Sequence, residues 1–239
     1  MIFTRLALQD IISEIHENAD YLFYSDEGEE KRLKILISMA FSAMTKSDSL
    51  YFSAENLVSN AKIALEVCRA LTINNGPPNK QFFTTNLFSA VLFANVGVIR
   101  GLLEGDKGDD YVIEPNKSKE IPAAHTDSIL WRYRRERSIL YLNENEFTNS
   151  ALDLNIVSSA IRNSDFSVEV DHSYLSNIDK LVRSTFIIGF VSGTNFDRKL
   201  VQFCHSVEEG GALEDLGIHN VADFRNHFKE YFWSKLYIS

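Results

Sequence analysis

Segment 131–137, Trp-Arg-Tyr-Arg-Arg-Glu-Arg, concentrates four arginines in six residues. On a helix, Arg134 and Arg137 are three positions apart and therefore share a face. Planar guanidinium groups bind phosphate or carboxylate through paired hydrogen bonds. The pattern indicates an anion-binding site at Arg134 and Arg137. The alternative is a solvated helix face whose positive charges offset the acidic remainder of the chain.

Other combinations of reactive side chains are sparse. The close pairs of histidine and carboxylate are Glu14 with His16, His125 with Asp127, and Asp171 with His172. None places two imidazoles four residues apart on one helix face, as a zinc-binding helix requires. The sequence also lacks the Gly-x-Ser-x-Gly, Walker and GxGxxG patterns. These pairs are therefore interpreted as polar surface.

The composition is that of a globular protein with an acidic surface. Of 239 residues, 45% are hydrophobic and only 4 are proline, which excludes collagenous and largely disordered classes. The 33 acidic and 24 basic residues give a net charge of −9, which disfavours nucleic acid and anionic membranes as partners. Cys68 and Cys204 lie in apolar helical patterns and are expected to be buried thiols rather than disulfide or zinc ligands. With no leader pattern and no run of 18 apolar residues, we expect a cytoplasmic protein.

The elements that must position these residues are predicted to be helices. Apolar side chains recur at helical spacing in segments 6–15, 33–44, 57–71, 82–99, 129–142, 152–161 and 174–191, with shorter helices over 196–237. Ser53 is suited to cap the third helix, and segment 82–99, apolar nearly all round, is expected to be central and buried. Residues 101–122 read as a long structureless loop over a cleft. We predict an all-α fold with one domain, residues 1–239.

Four segments together resemble a known family. Segment 92–101, Leu-Phe-Ala-Asn-Val-Gly-Val-Ile-Arg-Gly, resembles the Leu-x-His-Asp-Ile-Gly-Tyr-x-Arg-Gly motif of bacterial HD-domain metal-dependent phosphohydrolases. Segments 51–57, 133–138 and 181–189 are similar, in order, to the family's Tyr-His-Asn-x-x-His-x, Tyr-His-x-Asp-Arg-Ser and Leu-Val-Arg-Ala-Ala-Asp-Leu-Ile-Gly elements. The resemblance covers roughly residues 33–237. It implies an HD-domain-like helical bundle.

The resemblance also implies that the family's metal site is lost. The positions that match its histidine and aspartate ligands are occupied by Phe52, Asn56, Ala94, Asn95 and Phe186, with Arg134 at a further histidine position. No carboxylate remains among them to offset the cost of dehydrating a divalent cation. We therefore expect neither metal nor cofactor, and we expect Asn56, Asn95 and Phe186 to lie within about 10 Å of one another, around one buried site.

Three functions are consistent with these observations. The first is a catalytically degenerate HD-fold protein that acts as a binding or regulatory module, with a phosphorylated small molecule as its ligand. The second is a metal-dependent phosphohydrolase that uses displaced ligands drawn from His125, Asp106, Asp109, Asp110 and Asp127. The third is an interaction protein that binds a protein partner, or a second copy of itself, through its aromatic C-terminus.

Overall fold

The computed structural model describes residues 27–73, 80–165, 171–192 and 195–233, together with a few separate positions before residue 18. Within these ranges the chain is mostly helical. The α-helices are α1 (Glu27–Met44), α2 (Ala54–Ile73), α3 (Lys80–Phe93), α4 (Arg134–Glu144), α5 (Glu146–Ala151), α6 (Leu154–Asn163), α7 (Asn177–Val191), α8 (Phe196–Glu209) and α9 (Val221–Tyr231). The all-α prediction is thus confirmed in its coarse form. The predicted first helix, 6–15, falls largely outside the described residues.

Helix α3 is the centre of the fold. It packs against α1, α2, α6 and α7, and its side chains from Leu87 to Phe93 are buried. Except for Ser89, these residues belong to one apolar cluster that extends from Leu33 in α1 to Phe224 in α9. The sequence expectation of a core helix here is met, because a helix that is apolar nearly all round can only be surrounded by other elements.

The central helix ends earlier than its apolar pattern predicted. It stops at Phe93 and is followed by a 3₁₀ turn, Val96–Val98, that packs on α4. At Gly97 an added Cβ would lie 2.0 Å from the carbonyl oxygen of Arg134 and 2.4 Å from the amide nitrogen of Ser138. The two backbones therefore touch here, and only glycine allows it. Ser138 also accepts a hydrogen bond from the Gly97 amide through its hydroxyl, at 2.8 Å.

The segment predicted as a structureless loop, 101–122, is instead an ordered β-hairpin. Strands β1 (Asp110–Glu114) and β2 (Lys117–Glu120) pair antiparallel. The hairpin has a small core of its own, in which Tyr111, Ile113 and Ile121 pack with Leu130 of a 3₁₀ helix, Asp127–Tyr133. The prediction was wrong because the apolar residues that order this segment are few, and they are buried only when the hairpin packs on the 3₁₀ helix that follows it.

Helix ends follow the local sequence. The Ser53 hydroxyl accepts from the amide of Asn56 at 3.4 Å at the start of α2, as predicted. Ser176 and Asp179 form a reciprocal capping box that starts α7. None of the described helices is long and apolar enough to cross a membrane.

Candidate functional site

Three of the five positions that the resemblance aligns with metal ligands line one nearly filled cavity. Phe52, Asn56 and Asn95 line one cavity, between the start of α2 and the end of α3, of about 10 Å³. A single water needs roughly 10–15 Å³, so this cavity has no room for a metal with its substrate. Ala94 is fully buried, and Phe186 is buried in α7, which packs against α2 and α3, but neither lines the cavity.

A guanidinium group lies beside this cavity. The Arg134 side chain, 4% exposed, donates from Nε to Asn95 Oδ1 at 3.2 Å, from Nη1 to the Trp131 carbonyl at 2.6 Å and from Nη2 to Asp165 Oδ2 at 2.9 Å. Its Cζ lies 4.3 Å from the ring centre of Trp131 and 5.4 Å from that of Phe52. Aromatic faces stabilise a cation at these distances. Hydrogen bonds and aromatic rings of the protein itself therefore hold the Arg134 guanidinium in place.

The same carboxylate holds a second arginine. Arg135 donates from Nη1 to Asp165 Oδ2, and from Nε to the Ile161 carbonyl and the Ser164 hydroxyl at 3.1 and 3.2 Å. Burial and the neighbouring charge of Arg134 lower the pKa of Arg135 to about 9, although Asp165 opposes the change. Burial also lowers the pKa of Arg134, again against the attraction of Asp165. Asp165 thus offsets part of the cost of burying two cations.

Arg137 is fully buried, and the groups that accept its hydrogen bonds belong to the protein itself. Nε donates to the Gly97 carbonyl at 2.7 Å, and Nη2 donates to the Ile99 carbonyl at 2.8 Å and to Asp106 Oδ2 at 2.9 Å. Nη1 donates to Asp106 Oδ1 at 3.0 Å and to the Val112 carbonyl. These five contacts use all five N–H groups of the side chain, so none remains for a ligand. Arg137 ties the hairpin to α4.

These contacts change both interpretations of Arg134 and Arg137 that the sequence offered, the anion-binding site and the solvated helix face. Arg134 and Arg137 are buried, so the alternative of a solvated face is wrong for both. The anion-binding hypothesis also loses its geometric basis at Arg137, because the carboxylate that this side chain binds is supplied by the chain itself. Sequence spacing identified the shared helix face correctly but not the carboxylate partners of the two side chains, each of which lies 31 residues away in the sequence.

The proposed displaced metal ligands are not brought together. Asp106 pairs with Arg137, and Asp127 accepts at 3.0 Å from both the amide and Nε of Arg100. Asp109 and Asp110 are exposed on the hairpin, and the nearest carboxylate to His125 is Glu209 at 3.8 Å. Across the described part of the chain, no three His, Cys, Asp or Glu side chains are grouped so that they could hold a metal ion.

A larger concave surface lies elsewhere, along α1. We call it the lysine groove; it has a volume of about 760 Å³ and is lined by Lys31, Lys34, Ile35, Ser38, Met39, Ser42, Ala43, Lys46, Ile99, Gly101, Leu102, Tyr141, Asn145 and Phe147. One wall is α1 and the other is the end of α4 with the start of α5. The volume is within the usual range for ligand sites, roughly 300–1,000 Å³.

The groove is lined by both cationic and apolar side chains. Lys34 pairs with Glu30 one turn earlier, whereas Lys31 and Lys46 make no ion pair with any residue that the structure describes. Ile35 is 37% exposed in the middle of α1, and burial raises the pKa of Tyr141 on the opposite wall. The sequence analysis did not identify this site, because Lys31 and Lys46 are separated by 15 positions along the chain. The available signal was the i, i+4 spacing of Lys31 and Ile35.

Comparison with known proteins gives a family but no activity. No curated protein and no solved structure is significantly similar to this chain. The family match covers residues 3–239, almost the whole chain, and its description makes no link to HD-domain phosphohydrolases. The chain is thus a member of the Npun_R2479-like family.

Proposed function

We propose that this protein is a catalytically degenerate HD-fold protein that acts as a binding or regulatory module for an anionic ligand. The HD-fold part of the proposal depends on the four sequence segments described above. The absence of hydrolysis is supported by one observation: where the resemblance implies metal ligands, the structure has a cavity of about 10 Å³ beside the buried Arg134 guanidinium.

The position of Arg134 explains why a metal ion is disfavoured at this cavity. A metal at such a site needs anionic or imidazole ligands, and a resident guanidinium repels a second cation placed close to it. Asn95 supplies its amide oxygen to Arg134, and Ala94 and Phe186 have no ligand atom. Hydrogen bonds and aromatic faces around one arginine replace the cation–ligand contacts that the family would have here.

The binding part of the proposal belongs to the lysine groove. In a chain with a net charge of −9, two lysines that have no ion-pair partner among the described residues favour an anion as the ligand of this concave surface. Phosphorylated small molecules are one class of such ligands. The groove takes over the role that the sequence assigned to Arg134 and Arg137, whose donors are largely or fully used within the protein.

Metal analysis and a hydrolysis assay test the catalytic part directly. Purified full-length protein is expected to contain less than about 0.1 equivalent of Mn, Fe, Zn or Mg, as follows from the lack of a ligand set. With p-nitrophenyl phosphate and bis-p-nitrophenyl phosphate, with and without added Mn²⁺, the rate is expected to equal that of a matched blank. A stoichiometric metal, or a rate abolished by chelator, would contradict the proposal in favour of the phosphohydrolase alternative.

A further inference from the structure

The side chains that α1 contributes to the lysine groove form one stripe along the helix. Lys31, Ile35, Ser38 and Ser42 follow one another at intervals of three or four residues, the spacing of one helix face, and Lys46 lies two residues beyond the end of the helix at Met44. At a rise of 1.5 Å per residue, α1 advances about 20 Å from Lys31 to Met44, so Lys31 and Lys46 lie at opposite ends of the groove. The groove is therefore long relative to its volume, with a cationic group at each end.

The groove is also open along its length. Lys31, Ile35, Ser38, Ser42 and Lys46 are all exposed to solvent. Sites for small molecules commonly enclose most of the ligand surface, which an open surface of this kind does not do. A chain that crosses the groove and continues beyond both ends fits this shape better than a compact metabolite.

The chemistry of the two walls suits a polypeptide. The Ser42 hydroxyl on α1 and the amide nitrogen of Asn145 on the opposite wall are able to hydrogen-bond to a peptide backbone, whereas the Ser38 hydroxyl donates to the Lys34 carbonyl and the Asn145 oxygen caps α5. Met39 on α1 and Phe147 on the opposite wall add half-buried apolar side chains to the lining. An extended strand presents alternate side chains on opposite sides, at about 3.3 Å per residue, so roughly six residues span the distance between the cationic ends.

We infer that the lysine groove binds an extended acidic segment of a partner protein, about six residues long, in which Asp or Glu alternates with apolar side chains. Lys31 and Lys46 bind the carboxylates, and Ile35, Met39 and Phe147 contact the apolar side chains. The inference rests on the proposed function in one respect, that the protein acts by binding. It names the partner chemistry for that role, and the charge complementarity of the groove carries it.

A synthetic peptide tests this inference on the full-length protein. The probe is a fluorescein-labelled eight-residue peptide that alternates Glu with Leu, and its control has Gln at every Glu position. Fluorescence anisotropy should show saturable binding of the acidic peptide that weakens as NaCl rises from 50 to 300 mM, because salt screens exposed charges. The Gln peptide should bind at least about tenfold more weakly, the effect of removing charge pairs of the strength found at exposed sites.

Variants of the protein locate the binding. Lys31→Gln/Lys46→Gln should raise Kd about tenfold, whereas Lys180→Gln/Lys229→Gln, the same change of charge at exposed lysines outside the groove, should change Kd less than about twofold. Ile35→Glu places a carboxylate in the stripe and should also weaken binding. Because Ile35 is already part-exposed, unchanged thermal unfolding is the expected sign that this variant remains folded.

Three results would overturn the inference. They are the absence of saturable binding to the acidic peptide, an equal loss of affinity in the two double variants, and displacement of the peptide by 1 mM pyrophosphate at constant ionic strength. The last would assign the groove to a small phosphorylated ligand. A metal-dependent hydrolase with intact peptide binding would instead overturn the proposed function alone, so the two failures are distinguishable.

Discussion

The ion pair between Arg137 and Asp106 should be the most sensitive point of the hairpin attachment. The Asp106 side chain is 1% exposed and that of Arg137 is 0% exposed, and the carboxylate also accepts from the amides of Val112 and Leu103 at 2.9 and 3.2 Å. Asp106→Ala therefore leaves a buried, uncompensated guanidinium. Breaking a buried pair in this way costs about 3–5 kcal/mol of the free energy of unfolding. At about 2–4 °C per kcal/mol, Tm should fall by roughly 6–20 °C.

Glu136→Ala is the matched control, since Glu136 also accepts two hydrogen bonds from one arginine. Arg162 Nε and Nη2 donate to it at 2.7 and 3.0 Å, but the two side chains are 52% and 38% exposed, so the loss should be below about 1 kcal/mol. Urea unfolding followed by circular dichroism measures both variants. If the two substitutions lowered the free energy of unfolding equally, burial would not be what makes the Arg137–Asp106 pair strong.

The same pair predicts a pH dependence. Burial tends to raise the pKa of Asp106, but the hydrogen bonds and charge of Arg137, with two backbone amides, outweigh it and lower the pKa below its ordinary value of 3.8. A carboxylate with a lowered pKa in the folded state stabilises fully above its ordinary pKa, and this stabilisation is lost as pH falls through the folded value. The difference between the parent protein and Asp106→Ala should be constant from pH 7 to 5 and shrink below about pH 4. A difference that persisted unchanged to pH 2 would contradict this.

Three further predictions concern packing and burial. Gly97→Ala should lower the free energy of unfolding by at least about 3 kcal/mol or prevent folding, because its Cβ would meet backbone atoms. Gly211→Ala is the control: its φ is 66° and the space around it is open, so the loss should be about 1–2 kcal/mol. Equal losses of the two variants in urea unfolding would refute the close-approach argument. Burial raises the pKa of both Cys68 and Cys204 to about 12, so Ellman's reagent at pH 8 should label neither thiol before unfolding and both after it. Arg134→Met should lower the free energy of unfolding by about 2–3 kcal/mol. This is less than the loss of a whole buried ion pair, because Arg135 still binds the Asp165 carboxylate. No measurable change would show that Arg134 is dispensable.

Helix locations were largely predictable because each depends on a repeating local pattern. The stripes that begin at Leu33 and end at Val191 correspond to observed helices, and the capping role of Ser53 follows from one hydroxyl next to one amide. The HD-like arrangement and the function remain predictions. The two errors of secondary structure, the overlong central helix and the missing hairpin, both arose where a segment is fixed by tertiary contacts with another element.

Composition and local periodicity alone indicated a mostly helical, acidic protein with a central buried helix within residues 82–99, and the structure ends that helix at Phe93. Only the tertiary structure decided what the arginines do. A guanidinium within hydrogen-bonding distance of Asp106 or Asp165 stabilises the fold, whereas a guanidinium without such a neighbour is available to a ligand. Sequence spacing cannot distinguish these two kinds of arginine, because each carboxylate lies 31 residues away from its arginine in the sequence. The same reason hid the lysine groove, whose two walls are brought together only when α1 packs in the folded chain.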